Sequence, residues 1–223
     1  SNYKIIALYA ENSPQWIVAD LACQQANITL VPLPIFFSDK QLEHALRQSG
    51  VDAIIHQAND RIADLIEIQA ASDRVLMLAG LILSKITTAN TDLPISTNKV
   101  TFTSGSTGSP RGVCLSTKQQ LLVASSLLEA TQLKSPKHLS ILPFSTLLEN
   151  IGGIYAPLLS GGTVFALSQQ ELGFNGSTGF DLTLLLNTID TVQPNSMILL
   201  PELLLALTSA VEKVGRHHVL YSL

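Results

Sequence analysis

Charged residues are scarce in this sequence: Asp, Glu, Lys and Arg make up 13% of its 223 positions, about half the roughly 25% usual in globular domains. Mean hydropathy is +0.32, high for a chain in water. So little polar surface leaves two readings, a membrane protein or a piece whose apolar faces are covered by the rest of a longer chain. Long apolar runs are missing as well. Val75 to Leu83 falls short of the about 20 residues that a bilayer crossing needs, and Met197 to Leu207 is interrupted by Pro201 and Glu202. The covered-piece reading is therefore the expectation, with no transmembrane segment and with peripheral membrane contact left open.

Basic clusters are absent too. The net charge is -4 and the pI about 5.7, and Lys and Arg are scattered, so no positive field for nucleic acid exists. Cysteine is limited to Cys23 and Cys114, both within apolar patterns. That suits reduced thiols in the cytoplasm better than a disulfide framework. No signal-peptide pattern is present, and Ser1-Asn2 reads as a tag remnant ahead of the strand-like Lys4 to Ala10. No Ser-His-Asp pattern or nucleophile elbow is visible, which removes support for hydrolase chemistry.

What the sequence does contain is alternation. Ile5 to Tyr9 reads as a strand, and Asn12-Ser13-Pro14 supplies a cap and an early proline for a helix to about Ala26. Ile28 to Leu33 (strand), a helix capped by Ser38-Asp39, Asp52 to His56 (strand), Ala58 to Ala71 (helix) and Arg74 to Ala79 (strand) continue it. This predicts an α/β fold of mostly parallel sheet covered by helices. Residues 84–98, rich in Thr, Asn, Ser and Pro, read as a linker between a first lobe (1–98) and a second (99–223). The second lobe reads as strands at Val100 to Thr103, Gly112 to Ser116, His138 to Phe144, Thr163 to Leu167 and Met197 to Leu200. Helices fall at about Lys118 to Leu133, Leu147 to Leu159, Leu182 to Val192 and Pro201 to Val214, and Val219 to Leu223 reads as a strand.

The run Thr103-Ser104-Gly105-Ser106-Thr107-Gly108-Ser109-Pro110-Arg111-Gly112-Val113 concentrates backbone N–H groups and hydroxyls where glycine permits close approach. That is the make-up of an anion cradle. Arg111 adds a permanent planar cation suited to phosphate oxygens, and Pro110 stiffens the loop before it. Neither the P-loop ending nor the dinucleotide glycine spacing is present, and by composition a surface loop of small residues would look the same. Gly176-Ser177-Thr178-Gly179 repeats the tetrapeptide without a Pro-Arg-Gly continuation and reads as a helix-entry loop. His217-His218 lacks ligands at metal spacing.

Thr103 to Val113 resembles the Thr/Ser/Gly-rich signature of the adenylate-forming (AMP-binding) superfamily of acyl-CoA synthetases, peptide-synthetase adenylation domains and luciferases, with Arg111 in place of the usual lysine and Thr117 in place of a frequent histidine. Glu11 to Trp16, Val31 to Pro34, Leu142-Pro143-Phe144 and Leu158 to Val164 are similar to further segments of that family. Asn27 replaces its usual glycine, and the form Ser145 to Glu149 is nearest to synthetases of longer fatty acids, with Thr146 at the customary histidine. The resemblance implies an acid–thiol ligase that binds ATP with Mg²⁺, forms an acyl-adenylate from a carboxylic acid such as a fatty acid, and transfers the acyl group to coenzyme A. It implies Thr103 to Gly108 and Arg111 as the phosphate site, Arg111 as the catalytic cation, and Thr146, Glu149, Asn150 and Gly153 beside the acyl chain. For Glu149 a helix-start carboxylate serving the dipole is an equal reading. The same resemblance places the adenine-, magnesium- and ribose-binding segments and a terminal lysine beyond Leu223, so the piece alone is expected to be inactive. A non-catalytic binding module and an amino-acid adenylation domain are the alternatives.

Overall fold

In the computed structural model, which describes residues 3–57, 61–62, 74–76, 80–86, 88, 91–103, 110–174 and 180–220, β1 (Ile5–Tyr9) is the middle strand of a seven-stranded sheet. Around it lie β2 (Thr29–Pro32), β3 (Ala53–Gln57), β4 (Arg74–Leu76), β5 (Leu81–Lys85), β6 (Lys99–Thr103) and β7 (Arg111–Leu115), in the order β4-β5-β3-β1-β2-β6-β7. The central strands β3, β1, β2 and β6 run parallel, while β4, β5 and β7 join antiparallel at the edges. β1 is apolar on both faces because both are covered. Ile6 and Leu8 pack with Trp16, Ala19 and Cys23 of α1 (Pro14–Gln25), whereas Ala7 and Tyr9 pack with Leu42, Ala45 and Leu46 of α2 (Asp39–Ser49).

Local chemistry sets the helix starts. Ser13 caps α1, its hydroxyl accepting from the Trp16 N–H at 3.2 Å with Pro14 in the first turn, and Ser38 with Gln41 forms a capping box on α2. A second capping box, Ser116 with Gln119, opens α3 (Thr117–Thr131). A smaller parallel sheet of β8 (Lys137–Ser140) and β9 (Thr163–Ala166) follows, with α5 (Leu182–Val192) and α6 (Pro201–Leu220) packed around Leu139, Ile141 and Leu185. Between β8 and β9, α4 consists of an α turn Leu147–Glu149, a π-helical segment Asn150–Tyr155 and an α turn Ala156–Leu159. Such π segments recur at functional sites.

Several expectations need correction. The apolar stretch Val75 to Leu83 hides a reversal: β4 and β5 pair antiparallel with Val75 opposite Leu83, and Gly80, at φ +86, adopts the left-handed backbone just before β5. No polar turn residue marks it, so β5 was absent from the expected order and residues 84–85 belong to it rather than to a linker. The expected lobe boundary at residues 98 and 99 falls inside the large sheet, where Leu30 pairs with Lys99 and its N–H donates to the Asn98 carbonyl at 2.9 Å. Met197 to Leu200 forms no ladder; only Asn195 and Ser196 bond to β8. α6 continues through Leu220, so Val219 and Leu220 are helical rather than strand, and 221–223 lie outside the described residues. Of the helix expected over Ala58 to Ala71, only 61–62 are described, and they are helical.

Candidate functional site

β6 and β7 pair with Thr103 opposite Arg111, so the strand pair brackets the segment expected to cradle phosphate. Ser104, Gly105, Ser106, Thr107, Gly108 and Ser109 lie outside the described residues. Of the expected cradle, Thr103 and Arg111 are described. The Thr103 hydroxyl points across the pair to the Arg111 carbonyl at 3.5 Å, and Arg111 is exposed, where a guanidinium can meet an anion from solvent. Pro110 is buried, and its carbonyl accepts from Nε2 of His44 on α2 at 3.0 Å. Because proline has no N–H, this carbonyl is its sole backbone hydrogen-bonding group, and His44 anchors it beside Arg111. Nothing in the sequence pattern singled out His44, which lies on the side of α2 away from the apolar-spaced face of Leu42, Ala45 and Leu46.

Lys99, at the start of the strand that leads into the loop, is buried with Asp20 of α1 at a relative exposure of 2% and 1%. Its Nζ lies 2.8 Å from Asp20 Oδ1 and donates to Asn150 Oδ1 at 2.5 Å and to the Tyr155 hydroxyl at 2.9 Å. Asn150 Nδ2 and the Tyr155 O–H both donate to Asp20 Oδ2, at 3.0 and 3.1 Å. Burial pulls the Lys99 ammonium below its ordinary value against the opposing pull of Asp20. Burial, followed by the Asp20 charge, raises the Tyr155 phenol and pushes the Cys23 thiol up to about 11. The cluster ties α1, β6 and the π segment of α4 together. Lys99 at the head of the strand-like Val100 to Thr103 and Asp20 within an apolar helix face were its sequence signals, both overlooked.

The four residues expected beside an acyl chain divide. Thr146 is half-buried before α4 and donates its hydroxyl to the Pro143 carbonyl at 2.7 Å. Glu149 is fully buried rather than a solvent-side helix-start charge; Oε1 lies 3.3 Å from Nε2 of buried His138, whose Nδ1 meets Ser196 Oγ at 2.9 Å. Burial raises the Glu149 carboxyl, with His138 opposing. Asn150 belongs to the Lys99 cluster. Gly153 packs on the pair, since a Cβ there would stand 2.5 Å from Glu149 Oε1 and 2.9 Å from His138 Nε2. The interior thus claims Glu149, Asn150 and Gly153.

Between α3 and the start of α4 lies a cavity of about 320 Å³ walled by Leu115, Val123, Leu127, Leu147, Leu148 and Ile151, with Gln119 and Gln120 also lining it. Among the described residues no group of three His, Cys, Asp or Glu side chains is placed to hold a metal ion, and no helix is long and apolar enough to cross a membrane. His217 and His218 fall on α6 rather than on a strand, and Gly176 to Gly179 lie outside the described residues.

Residues 2–223 match the profile of a family described as AMP-binding enzyme. Feruloyl-CoA synthase of an Amycolatopsis species is 30% identical over 174 residues, 75% of this chain and 34% of that protein. D-alanine–D-alanyl carrier protein ligase of Bacillus cereus is 26% identical over 175 residues, 75% of this chain and 33% of that protein. The fold is shared with o-succinylbenzoate coenzyme A synthetase from Bacillus subtilis in complex with AMP, at a TM-score of 0.70 and 16% identity over 93% of this chain and 51% of that one. The chain spans about a third of the length of these two curated relatives.

Proposed function

We propose, from the premise that the chain belongs to the family of AMP-binding enzymes, that the protein is part of a ligase that joins a carboxylic acid to coenzyme A through an acyl-adenylate. The observation that carries this reading is the Thr103–Arg111 strand pair, which sets an exposed cation at the root of the Ser/Thr/Gly-rich loop. ATP supplies the adenylyl group and pyrophosphate leaves. Thr103 and Arg111, with Ser104 to Gly108 between them, bind and orient the phosphate chain, and Arg111 meets the charge that grows on the leaving pyrophosphate. Mg²⁺ travels with ATP, and the described residues supply no carboxylate cluster for it.

Glu149, Asn150 and Gly153 act from the interior, holding α4 in place, rather than touching the acid. The apolar cavity beside Leu148 takes the acid's body, which suits a fatty or aryl acid better than a polar amino acid. Coenzyme A as acceptor is supported by the 30% relative, a CoA ligase, over the carrier-protein ligase at 26%. Two free cysteines, Cys23 and Cys114, are in keeping with the cytoplasm.

The test is exchange of labelled pyrophosphate into ATP by the full-length protein, with fatty, aryl and amino acids offered in turn. Acid-dependent exchange followed by thioester formation with coenzyme A is the expected result; silence with every acid supports a non-catalytic binding module instead. Exchange confined to amino acids would support the adenylation-domain reading. His44→Ala is expected to raise the KM for ATP about three- to tenfold, the equivalent of one ordinary hydrogen bond. His44→Gln, which keeps a donor, should recover most of it, and an unchanged KM in the alanine variant would remove His44 from the site.

A further inference from the structure

The π-helical stretch of α4 has a cause that lies outside the helix. In an α-helix, residues five apart stand about 140° from one another around the axis, at roughly 3.6 residues per turn. Bonds from i to i+5 bring such residues onto one side instead. Asn150 and Tyr155 open and close the π stretch. Both grip one atom, Oδ2 of Asp20 on α1, the Asn150 amide donating at 3.0 Å and the Tyr155 hydroxyl at 3.1 Å. Both also accept from Lys99 Nζ, which stands 4.8 Å from the centroid of the Tyr155 ring. An α register would turn one of the two away from Asp20. Glu149, one residue earlier, takes a different partner, His138 of β8, and Gly153 leaves room for that pair. Two buried sets of polar groups thus fix the rotation of α4 about its axis.

That rotation decides the cavity wall. Leu148 and Ile151 line the hollow of about 320 Å³ between α3 and α4, and Leu148 with Gly152 lines a second of about 200 Å³. A slip of the stretch into α register changes the rotation by one residue, about 100°, enough to take a wall side chain out of its cavity. We infer that Asn150 and Tyr155 are positioning residues for acid specificity: by holding α4 in π register against the Asp20–Lys99 pair, they decide which side chains face the acid. The inference rests on the ligase reading above and on the acid's body lying in the larger cavity. Lys99 is also the first residue of the strand that ends at Thr103, so one cluster sets the acid's wall relative to the root of the phosphate loop. Buried hydrogen bonds that share partners strengthen one another, so the loss of one is felt by the rest.

In the full-length protein, Tyr155→Phe keeps the ring against Lys99 and removes only the hydroxyl. Pyrophosphate exchange is measured with decanoic, hexadecanoic and phenylpropenoic acids. The expected result is a KM for the preferred acid at least about threefold higher, because a partly populated competent register weakens apparent affinity in proportion, with the KM for ATP within about twofold of the parent. The order of preference among the three acids changes as well. Asn150→Ala should act in the same way, and the double variant little more, because the register slips only once. Equal rises in both KM values, or unchanged kinetics with only thermal stability lost, make the cluster merely structural and overturn the inference. Amide hydrogen exchange gives a readout free of catalysis: residues 147–159 exchange faster in Tyr155→Phe while α1 keeps its protection. Unaltered exchange there overturns the register claim. If the parent exchanges pyrophosphate with none of the acids, the ligase reading falls by itself, and calorimetry with decanoic acid decides the inference. Weaker binding in Tyr155→Phe keeps the positioning role; equal binding, or none by the parent, overturns it.

Discussion

Arg111→Ala in the full-length protein lowers acid-dependent pyrophosphate exchange on the order of 100-fold, while its melting temperature stays within about 2 °C of the parent. The first half follows from the kind of interaction removed. A preorganised donor facing charge that develops in a transition state contributes about 10²–10³ in rate, and Arg111 stands at the root of the loop proposed above to meet the leaving pyrophosphate. The second half follows from exposure: the Arg111 side chain projects from an edge strand, and surface substitutions away from buried partners change stability by about 0.5 kcal/mol or less. Arg111→Lys keeps the charge and gives up the planar fork, so it should recover part of the rate. Exchange that is undiminished in the alanine variant would take the phosphate role away from this loop.

The second large effect is on folding. Lys99→Met leaves the Asp20 carboxylate buried at 1% exposure without its cation, and breaking a buried pair from one side costs about 3–5 kcal/mol. For a chain of this size that is a fall in melting temperature of about 10 °C, at about 2–4 °C per kcal/mol. The double variant Lys99→Met with Asp20→Leu should recover much of the loss, because no isolated charge remains. Unfolding curves of both variants in urea check this. A single variant as stable as the parent would show that water reaches the cluster and that Lys99 is not its keystone. The cluster also bears on function through geometry, since Lys99 begins the strand that ends at Thr103 and Asn150 begins the π segment of α4.

How much of this was legible depends on how far apart the interacting residues stand. The start of α1 was readable because Ser13, Pro14 and the Trp16 N–H that Ser13 receives lie within one turn. The same holds for the cap at Ser38, whereas Ser116, read as the end of a strand, caps α3. The pairing of β4 with β5 was not read: the apolar run from Val75 to Leu83 holds a single glycine, Gly80, and no polar turn residue, so the antiparallel ladder of Val75 with Leu83 emerges from the structure. At the site, the loop's chemistry could be anticipated from its hydroxyls, glycines and Arg111, whereas His44 and Pro110 meet across 66 positions. Glu149 and Asn150 were expected beside an acyl chain, and the structure shows both buried, against His138 and in the Lys99 cluster. A helix-start carboxylate looks the same in sequence whether it faces solvent or His138.

The sequence by itself determined the alternation of strand and helix, the cap of α1, and, through a Thr/Ser/Gly run closed by Arg111, a resemblance to a family that the match over residues 2–223 bears out. These depend on neighbours within a few residues, where propensity and hydrogen-bond reach act directly. Only the tertiary structure decided that Asp20, Lys99, Asn150 and Tyr155 form one buried cluster from residues up to 135 positions apart. It also decided that Glu149 is spent on His138. Which charges lose their water, and which find partners, is a property of packing, and packing is fixed by contacts that no local stretch of chain contains.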